Sequence, residues 1–315
     1  FYQLAADGLG TAKQLSRDGS VFRYSPVLSP DGKSIAYRDK NHRLWLREIG
    51  NEKPRQIGES QYQNFSDLTW SPDSRWLAFV AAGENRNDQV FLFNVKEKTT
   101  TPATTDRFDS YSPTWSPDGR WLYFLSDRNL ESLVSSPWGP RQPEPFFDKT
   151  TQIFQLALRK GQRSPFQAPD ELFAGGEAGN KRTSRKDGKQ KKADKAAADV
   201  RIDLEGITAR LTRVPISAGN LRSLVATREH LYWISRATSA KRTLTLKSIK
   251  REHDADVTTI LSDIKTYRVS QNRRKLVVHR DKDLYVLDAN GSAAKSLSKA
   301  KVTLSNWKFS IDPVA

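Results

Sequence analysis

The sequence of 315 residues contains no cysteine and no methionine. Without cysteine, the chain can form no disulfide, no zinc–thiolate site and no thiol nucleophile. No apolar run approaches the length of a membrane span, and no charged-then-apolar leader stands at the N-terminus, so we expect no membrane partner. Because the chain opens on Phe1 rather than on methionine, we expect a fragment of a longer protein, whose other part would carry any export signal.

The recognisable catalytic signatures are also absent. The sequence has no Gly-x-Ser-x-Gly elbow and no His-Glu-x-x-His motif, and its four histidines are scattered. His279-Arg280-Asp281 matches a kinase catalytic loop by letter, but it lies in an alternating strand pattern without a glycine-rich loop, so we interpret it as a coincidence. No nucleophile has a base beside it. We therefore predict that this chain holds no catalytic residue, no metal and no cofactor.

Acidic residues are too few to balance the basic ones, since 52 Lys and Arg against 36 Asp and Glu give a net charge of +16. Such an excess suits nucleic acid or an acidic surface, but lysines and arginines on exposed strand edges also explain it, and we adopt this second interpretation. Part of the excess lies in Gly175–Ala198, which has almost no apolar side chain and is predicted to be disordered. As a nucleic-acid tail this insert would lack aromatic residues for stacking, so nucleic acid is not an expected partner.

What the sequence does contain is a repeated hairpin. Between Ser110 and Arg128, two apolar runs flank the turn Ser116-Pro117-Asp118-Gly119, whose residue types suit a tight turn that ends in a left-handed conformation. Related hairpins surround Ser29-Pro30-Asp31-Gly32 and Ser71-Pro72-Asp73-Ser74. The Ser-Pro-Asp cores begin at positions 29, 71 and 116, which gives spacings of 42 and 45 residues. A period of that length with several short strands per repeat is typical of propeller blades.

We therefore predict an all-β fold, a single β-propeller domain over residues 1–315 with four-stranded antiparallel blades. The predicted units are a partial blade over 1–17, full blades over about 21–60, 62–107, 109–170, 200–263 and 265–299, and a closing strand over 302–311. In this assignment Leu211–Pro215 opens the fourth full blade and Ala294–Leu297 ends the fifth. The propeller has six blades if the closing strand pairs with the partial blade, and seven if sequence before residue 1 contributes. Trp70 and Trp115, just before the turns, are interpreted as packing between blades rather than as ligand platforms.

The repeat resembles that of three protein families. Trp-Ser-Pro-Asp-Gly-x-x-Leu repeats occur in TolB, in the propellers of prolyl-oligopeptidase-type enzymes and in tricorn-type proteases, and the turn alone does not separate them. Three further groups of residues are similar to the tricorn family, and together they cover roughly residues 20–315. They are Ser112-Pro113-Thr114-Trp115 running into Leu122–Arg128; Leu156–Arg159 with Ser164-Pro165-Phe166 and Pro169-Asp170-Glu171; and Ile202–Ile207 with Arg210, Val214-Pro215 and Ala218-Gly219-Asn220.

The resemblance implies the non-catalytic second propeller of a cytoplasmic serine peptidase of the tail-specific type, which assembles as homo-hexamers. In that family the propeller has seven blades and is regarded as a channel through which oligopeptide substrates reach the active site. The catalytic, PDZ and helical parts would lie beyond Ala315, so no catalytic residue carries over to this chain. The alternative is a TolB-like, periplasmic propeller that binds a partner protein, and the parent's sequence after residue 315 would discriminate between the two.

The candidate peptide-binding residues follow from the geometry of a propeller. The innermost strand of each blade lines the central channel, and here it should be the strand before each Ser-Pro-Asp turn. The residues at the starts of these strands mix charge with aromatic surface, and the candidates are Arg23, Tyr24, Asp67, Asp109, Tyr111, Tyr267 and Arg268. Arg23 and Arg268 are the strongest candidates, because a guanidinium can hold a peptide carboxylate through two hydrogen bonds. The alternative is that these residues only solvate the channel mouth and link the blades.

Overall fold

The computed structural model describes residues 1–4, 10–16, 19–51, 53–132, 147–170, 198–238 and 242–303. Within these residues the fold is all-β, as predicted, with 21 strands and a short 3-10 helix at Ile207–Arg210. The strands follow the segments rich in β-branched and aromatic residues, and Ser, Pro, Asp and Gly separate them. Most of the predicted disordered insert, and the predicted closing strand from residue 304 onward, lie outside the described residues.

The N-terminal segment forms a small sheet against the first full blade. Its two strands, β1 (Tyr2–Gln3) and β2 (Lys13–Gln14), pair antiparallel, as predicted for the partial blade. The amino group of Phe1 donates a hydrogen bond to Ser16 Oγ at 2.5 Å. The Phe1 ring packs edge-on against the ring of Tyr37, with 4.8 Å between the ring centroids. These contacts attach the segment to the sheet that contains Tyr37.

Five larger antiparallel sheets follow in chain order, and we name them blades I to V. Blade I comprises β3 (Arg23–Leu28), β4 (Ser34–Asp39), β5 (Arg43–Glu48) and β6 (Arg55–Glu59). Blade II comprises β7 (Ser66–Trp70), β8 (Trp76–Ala82), β9 (Asp88–Asn94) and β10 (Thr99–Pro102). Blade III comprises β11 (Ser110–Trp115), β12 (Trp121–Asp127), β13 (Thr151–Ala157) and β14 (Leu211–Arg213). Blade IV comprises β15 (Asn220–Ala226), β16 (His230–Arg236), β17 (Leu244–Lys250) and β18 (Val257–Ser262). Blade V comprises β19 (Thr266–Val269), β20 (Lys275–Arg280) and β21 (Asp283–Asp288).

Blade III corrects one predicted strand assignment. Residues Leu211–Arg213 pair with β13, so they close the third full blade and do not open the fourth. All seven residues of β13 are buried. A strand buried in this way needs hydrogen-bonded neighbours on both sides, because unpaired backbone groups away from water are costly. The third full blade is therefore completed by a strand that follows the insert in sequence, and an assignment based on closeness along the chain placed this strand in the wrong blade.

Blade V differs from the prediction at its outer edge. Ala294–Leu297 forms no strand. Instead, residues 300–302 run along β21, where Val286 N–H donates to Ala300 O and Val302 N–H donates to Leu284 O, each at 2.8 Å. Ala294 and Leu297 pack against the buried cluster between blades IV and V, so these apolar side chains belong to the core and not to a strand pattern.

The Ser-Pro-Asp turns are built as the sequence predicts. In blade III the Ser116 hydroxyl donates to Asp118 Oδ1 at 2.5 Å and accepts from the Trp121 N–H at 2.9 Å, which ties the turn to the next strand. The same serine-to-aspartate bond recurs in blades I and II. The residue that follows has a positive φ in every one of these turns, 72° at Gly32, 62° at Ser74 and 67° at Gly119. The repeated hairpin is thus confirmed as the unit of the fold.

The hydrophobic core lies between the blades. Separate buried clusters join blade I to II, II to III, III to IV and IV to V. Trp115 is fully buried and donates its indole N–H to Thr69 O of blade II at 3.2 Å. Trp70 does the same one blade earlier, donating to Val27 O at 3.0 Å. The interpretation of both tryptophans as packing between blades is therefore confirmed.

Candidate functional site

The first strands of neighbouring blades contact one another. β3 lies against β7, β7 against β11, and β11 against β15. In a propeller the strands that meet in this way are the innermost ones, which surround the central channel. The strands before the turns are thus the inner strands, as predicted. We call the N-terminal end of each inner strand its starting end, and the C-terminal end, which leads into the turn, its turn end.

A bulge recurs in the inner strands of blades I to IV. The pairing register with the second strand shifts at the same place in each blade, and a residue with positive φ lies at each shift. These residues are Ser25 (φ 50°), Asp67 (48°), Ser112 (55°) and Ser223 (55°). Each lies four positions before the serine or threonine that begins the turn, a regularity that was present in the sequence but was not used. The pairing of β19 in blade V shows no such shift.

At blade I, the predicted residues Arg23 and Tyr24 lie at the start of the inner strand. The Arg23 guanidinium lies 5.6 Å from the ring centroids of both Phe1 and Tyr37, and its Nη1 donates to Ser16 Oγ at 3.3 Å. Tyr24 is 41% exposed. Arg23 therefore attaches the N-terminal sheet to blade I, whereas Tyr24 presents an aromatic ring to solvent.

Three carboxylates gather where the inner strands of blades II and III begin. Asp67 accepts the Ser112 N–H at 2.8 Å, and Asp109 accepts the Asp88 N–H at 2.8 Å, so both carboxylates reach across to a neighbouring element. Burial raises the pKa of Asp88 above its ordinary value, and the charges of Asp109 and Asp67 raise it further, against a hydrogen bond from Gln63. We call Asp67, Asp88 and Asp109 the acidic rim.

The acidic rim brings together two of the predicted site residues, Asp67 and Asp109. Asp88 was missed, because it lies at the start of the third strand of its blade and not in an inner strand. Among the described residues, no lysine or arginine forms a salt bridge with any of the three. The rim is therefore a local concentration of negative charge on a chain that is basic overall.

Tyr111 lies beside the acidic rim but faces into blade III. Its hydroxyl donates to Asp127 Oδ1 at 3.1 Å and lies 3.2 Å from Thr151 Oγ1. Burial raises the pKa of the Tyr111 hydroxyl above its ordinary value, and the neighbouring aspartates add to that effect. The hydroxyl is therefore a neutral hydrogen-bonding group, and the ring is partly buried against the core.

The prediction for Tyr267 as a surface contact is wrong. Its side chain is 2% exposed, and its hydroxyl donates to Ser223 O at 2.6 Å and to Tyr232 O at 2.9 Å. Burial raises the pKa of Tyr267 well above its ordinary value. Tyr267 points into the core between blades IV and V, because successive residues of a strand face opposite sides of the sheet. The next residue, Arg268, faces the other side of blade V, where it is exposed. Its partner in the neighbouring strand β20 is Val277.

Two arginines connect blades at the turn end, and sequence reasoning identified neither. Arg251 donates from Nε to Tyr123 Oη at 3.0 Å and lies 3.3 Å from Asp118 Oδ2. Burial alone would raise the pKa of Asp118, but the Arg251 charge and the hydrogen bond from Ser116 outweigh it and hold this pKa below its ordinary value. Arg273, in the turn of blade V, donates from Nη1 to Trp115 O at 3.2 Å and to Ala226 O.

The described residues contain no group of three or more His, Cys, Asp or Glu side chains arranged to hold a metal ion. No helix among them has the length and apolarity needed to cross a bilayer.

The successive antiparallel blades and their contacting inner strands define the class of protein as a β-propeller. The crystal structure of the tricorn protease matches 89% of this chain and 26% of its own, with a TM-score of 0.68 at 18% identity. TolB from Acinetobacter baumannii matches 92% of this chain and 57% of its own, with a TM-score of 0.52 at 14% identity. At these identities the matches show the shared fold alone.

The family follows from the sequence match. The family model of the tricorn protease second beta propeller domain matches residues 3–290, and this chain belongs to that family. Tricorn protease homolog 1 of Streptomyces coelicolor is 26% identical over 212 residues, which cover 66% of this chain and 18% of that protein. The tricorn protease homolog of Saccharolobus solfataricus is 32% identical over 122 residues, covering 39% of this chain and 11% of that protein. The matched segments thus cover less than a fifth of the length of these relatives.

Proposed function

We propose that this propeller admits peptides to the catalytic core of a larger serine protease and that it performs no catalysis itself. The observation that carries the proposal is the acidic rim, where two neighbouring inner strands begin and no cation neutralises the carboxylates within the described residues. Membership of the tricorn second-propeller family supports the protease context. The parent is proposed to be a cytoplasmic homo-oligomer, a hexamer by the family resemblance, with PDZ, helical and catalytic parts.

The chemistry of the acidic rim fits one end of a peptide. A terminal ammonium group, or a lysine or arginine side chain, gains charge-assisted hydrogen bonds from carboxylates that already hold a backbone N–H in place. Because Asp67 and Asp109 are each bonded to a neighbouring element, their positions are set before a ligand arrives, so little ordering entropy is lost on binding. Tyr24 adds an exposed aromatic ring at the start of the inner strand of blade I.

The experiment compares long and short substrates in the full-length parent. The double variant Asp67→Asn, Asp109→Asn removes both charges while each asparagine still accepts the backbone N–H. We expect kcat/KM to fall about tenfold for a peptide of twelve residues, since two charged hydrogen bonds of modest strength are lost. Cleavage of a tripeptide, which can enter through other gaps, should stay within about twofold of wild type.

The matched control is Asp256→Asn, which removes an exposed carboxylate from the loop before β18 of blade IV. It should leave both substrates unaffected. An equal effect of the rim variant on both peptide lengths, or no effect on either, would leave the propeller with a purely structural role. A parent that ends soon after residue 315, without a peptidase core, would favour the TolB-like alternative of a propeller that binds a partner protein.

A further inference from the structure

We propose that Arg273 forms a carboxylate-binding site at the turn end of the inner strands and that it takes the C-terminal carboxylate of a peptide. The site lies at the opposite end of the inner strands from the acidic rim. The site depends on the proposed function only for the assumption that its ligand is a peptide. The contacts that indicate an anionic ligand are all made by residues of this chain.

Arg273 occupies the left-handed corner of the blade V turn, as Ser74 does in blade II with φ 62°. In the turns of blades I and III the corresponding position is glycine, whereas in blade V it is Arg273, with φ 55°. A long side chain in the left-handed region carries an energetic cost, which the turn imposes at this position.

The guanidinium lies at the ends of inner strands that belong to other blades. Nη1 donates to the carbonyl oxygens of Trp115 and Ala226, which are the last residues of β11 and β15. Arg273 of blade V thus bonds to both blade IV and blade III. Since inner strands surround the channel, this position places a positive charge at the end of the channel where the turns lie.

The charge of Arg273 is not neutralised within the described chain. Its only bonded partners among the described residues are carbonyl oxygens, both held by Nη1, and Nε and Nη2 donate no hydrogen bond there. Arg251, the other arginine that connects blades at this end, has the Asp118 carboxylate as its partner. Burial lowers the pKa of Arg273, but arginine remains protonated in proteins, so the site keeps a partly dehydrated cation.

A carboxylate is the ligand that this arrangement fits best. The Nε and Nη2 groups of an arginine form the fork that binds two carboxylate oxygens at once, and Nη1 is already held by the two carbonyls. Along β11, the five rises between the first and the last of its six residues span about 17 Å, at about 3.4 Å each. A short extended peptide can therefore place its ammonium end at the acidic rim and its carboxylate at Arg273.

The test measures binding of matched peptides to the full chain. The probe is an unstructured octapeptide of Gly, Ser, Ala and Leu with a free N-terminus and either a free C-terminal carboxylate or a C-terminal amide, and its binding is followed by isothermal titration calorimetry. Wild type should bind the carboxylate form about tenfold more tightly, as expected for a charged, two-pronged hydrogen bond. In Arg273→Gln this ratio should fall to about one, whereas Arg273→Lys, which keeps the cation, should retain part of it. A third peptide, amidated but carrying one glutamate near its end, shows whether a side-chain carboxylate is accepted instead.

Arg251→Gln is the control for structural damage, because it removes a buried blade-connecting arginine whose charge is already paired. It should lower stability and leave the carboxylate-to-amide ratio near tenfold. A ratio of one in wild type, with both peptides bound, overturns the Arg273 site and leaves peptide admission standing. A second readout follows the Arg273 Nε–Hε resonance during titration with acetate. A saturable shift without any peptide binding would support the carboxylate site and contradict the proposed function, and no shift would overturn the site.

Discussion

Gly119 in the blade III turn allows a sharp test of how the repeat is built. Its φ is 67°, in the left-handed region, and a Cβ added there would lie 2.8 Å from Val200 Cγ2. Val200 is 2% exposed, and its N–H donates to Asp73 Oδ2 at 2.8 Å. Its side chain therefore has little room to move away from a Cβ added at position 119. Gly119→Ala therefore introduces both backbone strain and a steric overlap with the segment that follows the insert.

The backbone strain and the steric overlap each lower the free energy of unfolding by an amount that can be estimated separately. A left-handed alanine costs about 1 kcal/mol, and overpacking against a side chain that cannot move costs about 1–3 kcal/mol more. The free energy of unfolding should therefore fall by about 2–4 kcal/mol, which corresponds to a drop in Tm on the order of 5 °C for a chain of this size. In a Val200→Ala background the overlap with Cγ2 is absent, and Gly119→Ala should then cost only about 1 kcal/mol.

Urea unfolding of the four proteins in this double-mutant cycle measures the coupling directly. We expect a coupling energy of about 1–3 kcal/mol between positions 119 and 200. Equal costs of Gly119→Ala in both backgrounds would refute the packing of Val200 on the turn, and no cost in either would refute the turn itself. Ser74→Gly is the matched control. It relieves the strain at φ 62° but loses the bond that Ser74 Oγ accepts from Asp31 N–H at 3.1 Å, so its net effect should be within about 0.5 kcal/mol.

Three further predictions follow from the charges and the insert. Asp88→Asn should raise the free energy of unfolding at pH 7 by about 0.5 kcal/mol, because it removes a carboxylate that Asp109 and Asp67 repel. Since the pKa of Asp88 is raised, the wild-type carboxylate becomes protonated as the pH falls and this repulsion is relieved. Urea unfolding at a series of pH values should therefore show the gain shrinking toward low pH. Asp118→Asn should cost about 0.5–1 kcal/mol at pH 7, because it removes the charge partner of Arg251 from a site where the Asp118 side chain is 42% exposed and screened by solvent. Since the pKa of Asp118 is lowered, the cost should disappear as the pH falls through that pKa. Limited trypsin treatment should cut first within 175–198 while the two halves stay associated, and early cutting elsewhere with this segment protected would contradict the predicted disorder.

The sequence was sufficient to predict the features that depend on local chemistry. Ser116, Asp118 and Gly119 form the bonds and the left-handed corner that a tight turn requires, wherever the turn lies in the fold. The recurrence of that turn was enough to predict a propeller, because stacking is the way in which short repeated sheets bury their apolar faces. Trp70 and Trp115 could be assigned to packing for the same reason.

The features that depend on distant parts of the chain could not be predicted in this way. Leu211–Arg213 pairs with β13 although the long insert separates the two strands in sequence. No local sequence pattern indicates which sheet a strand after such an insert will join. The Arg273 contacts to Trp115 O and Ala226 O join three blades and leave no pattern in the sequence.

Part of the candidate site could have been assigned better. Tyr267 lies three positions before Ser270, the first residue of its turn. Leu68 and Leu224 lie at the same position in their blades, and both are buried. The count from the strand start that placed Tyr267 at the surface ignored the bulges of blades I to IV, which shift the alternation of faces. The same count from the turn identifies Ser25, Asp67, Ser112 and Ser223 as one set.

The most direct test of peptide admission asks where a bound peptide lies. A decapeptide with one benzoylphenylalanine at its centre is irradiated with the protein, and the labelled tryptic fragments are identified by mass spectrometry. We predict labels on the inner strands Arg23–Leu28, Ser66–Trp70 and Ser110–Trp115, and their loss when an excess of unlabelled peptide competes. Labels confined to the outer strands Arg55–Glu59 and Thr99–Pro102, or labels that competition does not remove, would contradict the proposal that peptides pass along the inner strands.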